Sequence, residues 1–114
     1  MVLIYKICPE DLWRQAERSG LFTGAPVDVE DGFIHFSTAA QVRETAAKHF
    51  GGQRELLLIA VNPDALGTGL RYETSRGGDL FPHLYGVLLL SAVRWVRPLP
   101  LDREGRHVFP ELEP

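Results

Sequence analysis

The sequence predicts an α+β fold, a mixed sheet of about five or six strands with two helices packed on it. Three observations predict it. Short apolar runs bounded by turn residues recur along the chain, most plainly Glu55-Leu-Leu-Leu-Ile-Ala-Val61, and such runs suit strands. Two stretches carry helix start and stop signals, Pro9 to Gly20 and Thr38 to Gly51-Gly52. Strand-like and helix-like segments mix without the regular β-α-β rhythm of a doubly wound sheet.

Residues 3–7, with Ile4, Tyr5 and Ile7, read as the first strand. Pro9 opens a helix, where its missing N–H costs nothing. Glu10 and Asp11 in the first turn complement the helix dipole, and Gly20 is a natural stop. Leu12 and Ala16, four apart, share the inward face; Trp13 either caps the core or lines a pocket. Residues 21–31 contain Gly24, Pro26 and three acids and read as a loop.

Residues 32–37 are a short strand. Thr38 and Gln41 have capping-box spacing, so a second helix is expected from there through Val42, Ala46, Ala47 and Phe50. Residues 55–61 suit a strand covered on both faces. Asn62-Pro63-Asp64 makes a turn. Residues 70–73 form a strand, and 74–79, with Gly77-Gly78, a mobile connection. Residues 85–90 and 92–96 are the last strands. The tail holds Pro98, Pro100, Pro110 and Pro114 and should run irregularly over the surface, anchored by Val108 and Phe109.

At 114 residues the chain is expected to be one domain, residues 1–114. Cys8 is the single cysteine, so no internal disulfide can form, and beside an apolar strand it reads as inert packing. No leader is visible, and no apolar run approaches the ~20 residues that span a bilayer. A cytoplasmic protein without membrane attachment is expected. The formal net charge is −3 and no basic stripe stands out, which argues against general nucleic-acid binding. Nothing in the sequence bears on oligomeric state.

Two segments carry the distinctive polar chemistry. In Gly32-Phe-Ile-His-Phe-Ser-Thr38, strand alternation puts Ile34 and Phe36 on one face and Phe33, His35 and Ser37 on the other. The second face offers an imidazole and a hydroxyl just before a helix N-terminus, a cradle for a ribose, phosphate or carboxylate. The alternative is that His35 sits satisfied on a strand face and Ser37 merely caps the helix.

In Leu80-Phe-Pro-His-Leu-Tyr-Gly86, Pro82 stiffens the chain and Gly86 permits an unusual turn. His83 and Tyr85, two apart, face the same way and offer acid–base capacity beside an aromatic face. The alternative is that Tyr85 packs and bonds a carbonyl. Arg71 and Glu73 share a face of the strand between the segments; Glu73 stabilises a cation or orients a ribose hydroxyl, or else forms an ordinary ion pair. His35, Glu73, His83 and Asp79 are conceivable metal ligands, but no HxH, HxxxH or CxxC spacing supports a metal. His49 and His107 read as surface residues.

These blocks carry a resemblance. Ile4-Tyr-Lys-Ile7, Asp31-Gly-Phe-Ile-His-Phe-Ser37 with Gln41, Tyr72-Glu73 and Phe81-Pro-His-Leu-Tyr-Gly86 resemble the domain of unknown function 952 family of small bacterial proteins over nearly the whole chain. More remotely, that family is similar to the ADP-ribosyltransferase superfamily. This implies a split, mostly antiparallel sheet with NAD, as substrate, in its cleft. It also implies roles: His35, Glu73 and His83 catalytic, and Ser37, Thr38, Phe81 and Tyr85 lining the nucleotide, with Tyr85 or His83 against the nicotinamide. The superfamily usually places its acid last, whereas Glu73 precedes Tyr85. The expected ligand is therefore a nucleotide or other small molecule. Non-catalytic binding and a purely structural role for both histidines stay open.

Overall fold

The computed structural model describes residues 2–114. Strands β1 (Ile4–Pro9), β4 (Ser37–Thr38), β5 (Leu56–Val61) and β9 (Val93–Pro98) form a four-stranded sheet in the order β4-β1-β5-β9. Its two central strands alternate cleanly. Tyr5 and Ile7 of β1 join Leu56, Leu58 and Ala60 of β5 in one apolar layer, closed by Val42 and Ala46 of helix α3 (Val42–His49). Ile4 and Cys8 join Leu57, Ile59 and Val61 in the opposite layer, with Trp13 and Ala16 of helix α1 (Glu10–Ser19). All six residues of β5 are buried, as its apolar run predicts for a strand covered on both faces.

A second sheet packs on that opposite layer. It consists of β3 (Ile34–His35), β7 (Leu80–Leu84) and β6 (Leu70–Thr74), in the order β3-β7-β6. Ile34 and Leu70 both pair with Leu84, and this row belongs to the shared core. One residue further along, His35 and Arg71 both pair with His83. Alternation turns that second row away from the core. A short ladder of β2 (Leu21–Phe22) with β8 (Leu88–Leu89) completes the strands. Every strand pairing among the described residues is antiparallel.

The α+β class is as predicted, but the described residues hold three α-helices, not two, and their strands form three antiparallel sheets rather than one mixed sheet of five or six strands, because the chain changes layers between short strands. Residues 21–31 are not a loop: they hold β2 and helix α2 (Pro26–Asp31). Pro26 and Asp28, two of the residues that suggest a loop, also fit the first turn of a helix, where a missing N–H and negative charge are favoured. The expected strand at 32–37 is two. β3 stops at His35, the Phe36 N–H donates to the Pro82 carbonyl at 3.0 Å, and β4 starts on β1 at Ser37. Buried Ile34 and Phe36 hold this crossing between the sheets.

The strand expected at 85–90 lies earlier, as β7, because Tyr85 and Gly86 leave the ladder and only Leu88–Leu89 re-enters one. The capping-box spacing at Thr38 and Gln41 forms in part. Gln41 Oε1 accepts from the Thr38 N–H at 3.0 Å, but residues 39–41 make a turn and α3 begins at Val42. No helix among the described residues is long and apolar enough to cross a membrane.

Candidate functional site

The outward row of the three-stranded sheet gathers the chemistry. His35 and His83 are cross-strand partners with ring centres 5.6 Å apart. The Phe33 ring stacks on His83 at 4.1 Å and lies 4.6 Å from His35 and 5.2 Å from Tyr85. Glu73 reaches this group from β6. Its Oε1 accepts from the Tyr85 hydroxyl at 2.6 Å and from His83 Nδ1 at 2.8 Å. Close backbone approach sets Tyr85: its N–H donates to the Gly69 carbonyl at 2.8 Å, and a Cβ at Gly69 would lie 2.9 Å from the Tyr85 carbonyl oxygen.

His35 is anchored differently. Asp28 of α2 is buried and receives five contacts. Its Oδ1 accepts from His35 Nδ1 at 2.6 Å, from the His35 backbone N–H at 3.1 Å and from Lys6 Nζ at 2.9 Å. Its Oδ2 accepts from the Ala25 N–H at 2.8 Å and from the same Nζ at 2.8 Å. Gly24 makes room, since a Cβ there would lie 2.8 Å from the Asp28 Cβ. On the solvent side, Asp31 Oδ2 lies 2.9 Å from His35 Nε2.

These surroundings set protonation states. Burial alone would raise the Asp28 carboxyl, but the His35 hydrogen bond and the Lys6 charge and hydrogen bond outweigh it and hold the group at about 2. The Lys6 ammonium is pushed down from its ordinary value, because burial outweighs the attraction of Asp28. Hydrogen bonds from Tyr85 and His83 hold the Glu73 carboxyl below its ordinary value; the same bond to Glu73 raises the Tyr85 phenol. Both carboxylates are thus acceptors at neutral pH, so each imidazole donates through Nδ1. The neutral His83 ring then carries its lone pair on Nε2. For His35 the Asp31 contact becomes a second hydrogen bond when both ring nitrogens are protonated. Paired imidazoles with fixed tautomers can take and give protons.

The profile of the family described as "Protein of unknown function (DUF952)" matches residues 7–96. The chain belongs to the DUF952 family. Its fold resembles that of CC0527 from Caulobacter crescentus. The crystal structure of that protein is 49% identical, with 93% of each chain covered and a TM-score of 0.89. The solution structure is 50% identical, with 91% of this chain and 90% of that chain covered and a TM-score of 0.83. No curated protein matches the chain.

Of the residues singled out from the sequence of this DUF952 chain, the structure brings together His35, Glu73, His83 and Tyr85. Phe81 lies beside them, paired with Glu73 across the ladder. Ser37 and Thr38 are placed elsewhere. Ser37 is buried with its Oγ 3.0 Å from Thr45 Oγ1 of α3, and Thr38 pairs with Ile4 on the other sheet. Cys8 is buried, and that burial pushes its thiol up to about 12, which fits inert packing.

Among the described residues no group of three or more His, Cys, Asp or Glu is placed to hold a metal ion. Two surface hollows of about 360 Å³ lie away from the cluster, one between α3 and the tail, the other beside α1 and β2. The cluster is spread over the sheet face outside both hollows.

Sequence reasoning missed Lys6, Asp28 and Asp31. A signal existed for Lys6. It interrupts an apolar strand buried on both faces, where a lysine needs a buried acid. For Asp28 there was only its place two residues after Pro26, in a helix the sequence reads as a loop.

Proposed function

We propose that this DUF952 protein binds an NAD-like nucleotide over the His35–His83 face and acts on it as ADP-ribosyltransferases do. One observation carries the reading: two imidazoles, each held through Nδ1 by a carboxylate, stand in register on neighbouring strands and bracket the aromatic ring of Phe33. The aromatic group of Phe33 and Tyr85 suits stacking with a planar base. The imidazoles suit ribose hydroxyls and proton transfer. Cleaving the nicotinamide–ribose bond builds positive charge on the ribose, and an ionised carboxylate beside it stabilises that charge. Glu73 supplies the carboxylate. Both its donors land on Oε1, and among the described residues no donor reaches Oε2, which leaves that oxygen for the ligand.

Titration with NAD while following backbone amide shifts tests the reading. Residues 33–35 and 81–85 should shift together, and their silence at millimolar NAD would sink it. The commitment of Glu73 to two internal donors favours a second reading, binding without catalysis. Glu73→Gln separates the two. It abolishes nicotinamide release if the acid takes part in chemistry, and if the site only binds, the variant keeps its NAD affinity.

A further inference from the structure

We infer that Arg71 is the anion anchor of this face, so that the ligand is held through a phosphate group and an unphosphorylated nucleoside is discriminated against. The inference rests on the nucleotide reading above and specifies which part of the ligand the protein grips.

Its ground is the state of pairing around the cluster. Lys6 is paired with Asp28, His35 with Asp28 and Asp31, and His83 and Tyr85 with Glu73. Arg71 differs. Among the described residues no hydrogen bond or ion pair holds its guanidinium, which lies over the Tyr85 ring, 5.5 Å from its centre. Its charge reaches the cluster: beside the dominant hydrogen bonds it adds a smaller pull that favours the ionised Glu73 carboxyl and partly offsets the raising of the Tyr85 phenol. A cation–π contact leaves the edge of the guanidinium plane open, with N–H donors in a fork that matches phosphate oxygens.

Register supplies the second ground. His35 and Arg71 are both cross-strand partners of His83, so the three side chains form one row across β3, β7 and β6. Adjacent strands are about 4.8 Å apart, so the row spans roughly 10 Å. His83, in the middle of the row, is buried against the Phe33 ring, so a nucleotide lies along it with its sugar at the partly exposed His35 and its phosphate at Arg71. Arg71 is exposed at the open edge strand, where phosphate oxygens not bound by the guanidinium stay hydrated.

The test compares the full chain with Arg71→Met and Arg71→Lys, using three probes: NAD, nicotinamide riboside and inorganic pyrophosphate. Being exposed, Arg71 can be replaced without disturbing the core, and unchanged melting temperatures check this. Wild-type protein should bind NAD at least roughly tenfold more tightly than the riboside, as expected for a charge-assisted bidentate contact. Arg71→Met should erase the difference by weakening NAD alone, and Arg71→Lys should restore part of it. Pyrophosphate should shift the amides of residues 71, 83 and 85 in wild type and not in Arg71→Met. Equal binding of NAD and riboside by wild type, or equal weakening of both by Arg71→Met, overturns the inference and leaves the nucleotide reading standing. Binding of pyrophosphate without NAD or riboside supports an anion anchor at Arg71 and removes the nucleotide. Silence of all three probes overturns both.

Discussion

His35 and His83 are neighbours on one sheet, each with Nδ1 on a carboxylate, yet the two supports are built from opposite materials. The acid behind His35 is buried, shared with a buried lysine and saturated with donors. The acid behind His83 is 37% exposed, and its donors meet a single oxygen. The first arrangement ties the imidazole to the folding skeleton, since Asp28 cannot move without uncovering Lys6. The second leaves its imidazole buried but holds it on a carboxylate in water's reach, and that carboxylate can exchange an internal partner for an external one. Similar local geometry therefore serves different ends, and burial of the acid decides which.

The largest effect should come from breaking the buried support. Asp28→Ala leaves the Lys6 ammonium buried without its counter-charge, and loss of one partner of such a pair costs about 3–5 kcal/mol. Urea unfolding should report it. Replacing the pair together, Lys6→Met with Asp28→Leu, removes the stranded charge and should recover most of the loss, although His35 then loses its anchor. If Asp28→Ala costs less than about 1 kcal/mol, the skeleton reading fails.

A smaller effect is set by acid. The Asp28 carboxyl stands at about 2 in the folded protein and near 3.9 in the unfolded chain. A group lowered by folding contributes stability that is fully present above its unfolded value and is lost as pH falls through the folded one. Wild-type unfolding midpoints should therefore drop between about pH 4 and pH 2. The Lys6→Met/Asp28→Leu protein should lack that part of the slope. A parallel decline in both proteins would place the acid sensitivity elsewhere.

The exposed support should give way more quietly. Glu73→Gln removes a charge facing solvent and keeps a hydrogen-bonding side chain. It should move the melting temperature far less than Asp28→Ala does, while freeing the His83 ring to exchange tautomers. Ring nitrogen shifts of His83 check this: wild type should show one tautomer with its proton on Nδ1, and the variant a mixture. An unchanged single tautomer would mean that stacking on Phe33, not Glu73, orients the ring.

The contrast between the two supports also explains what the sequence makes legible. Strand alternation brings His35 to the same side as Phe33, and the spacing of His83 and Tyr85 survives into the structure because it depends on one strand and its exit. The apolar run at 56–61 names the central strand because nothing else fits it. Ser37 shows where this reasoning stops. Alternation along residues 32–37 puts it beside His35, but the chain changes sheets at Phe36, and the hydroxyl faces Thr45 instead. That crossing is decided by packing between layers, which local pattern does not contain. Lys6 and Asp28 stand 22 residues apart. Their pairing depends on a helix whose start signals also fit a loop, so local pattern does not reveal this buried ion pair.

The finest test concerns the Tyr85 hydroxyl. Removing its proton would end its donation to Glu73 and set two negative groups side by side, so the hydrogen bond raises this phenol above its ordinary value. Tyr5 and Tyr72 are raised as well, but for both the main cause is burial. Glu73→Gln should therefore bring Tyr85 down and leave the other two where they are. A residue-resolved titration of the tyrosine rings from neutral to strongly alkaline pH distinguishes them. If Tyr85 does not move, Glu73 is not holding the phenol in solution, and His83 is the remaining internal donor on the carboxylate among the described residues. If it moves alone, the exposed support exists as a Tyr85–Glu73–His83 chain centred on Oε1, and a ligand hydroxyl that reaches for that oxygen rather than Oε2 should bind more tightly in Tyr85→Phe, where one competitor is gone.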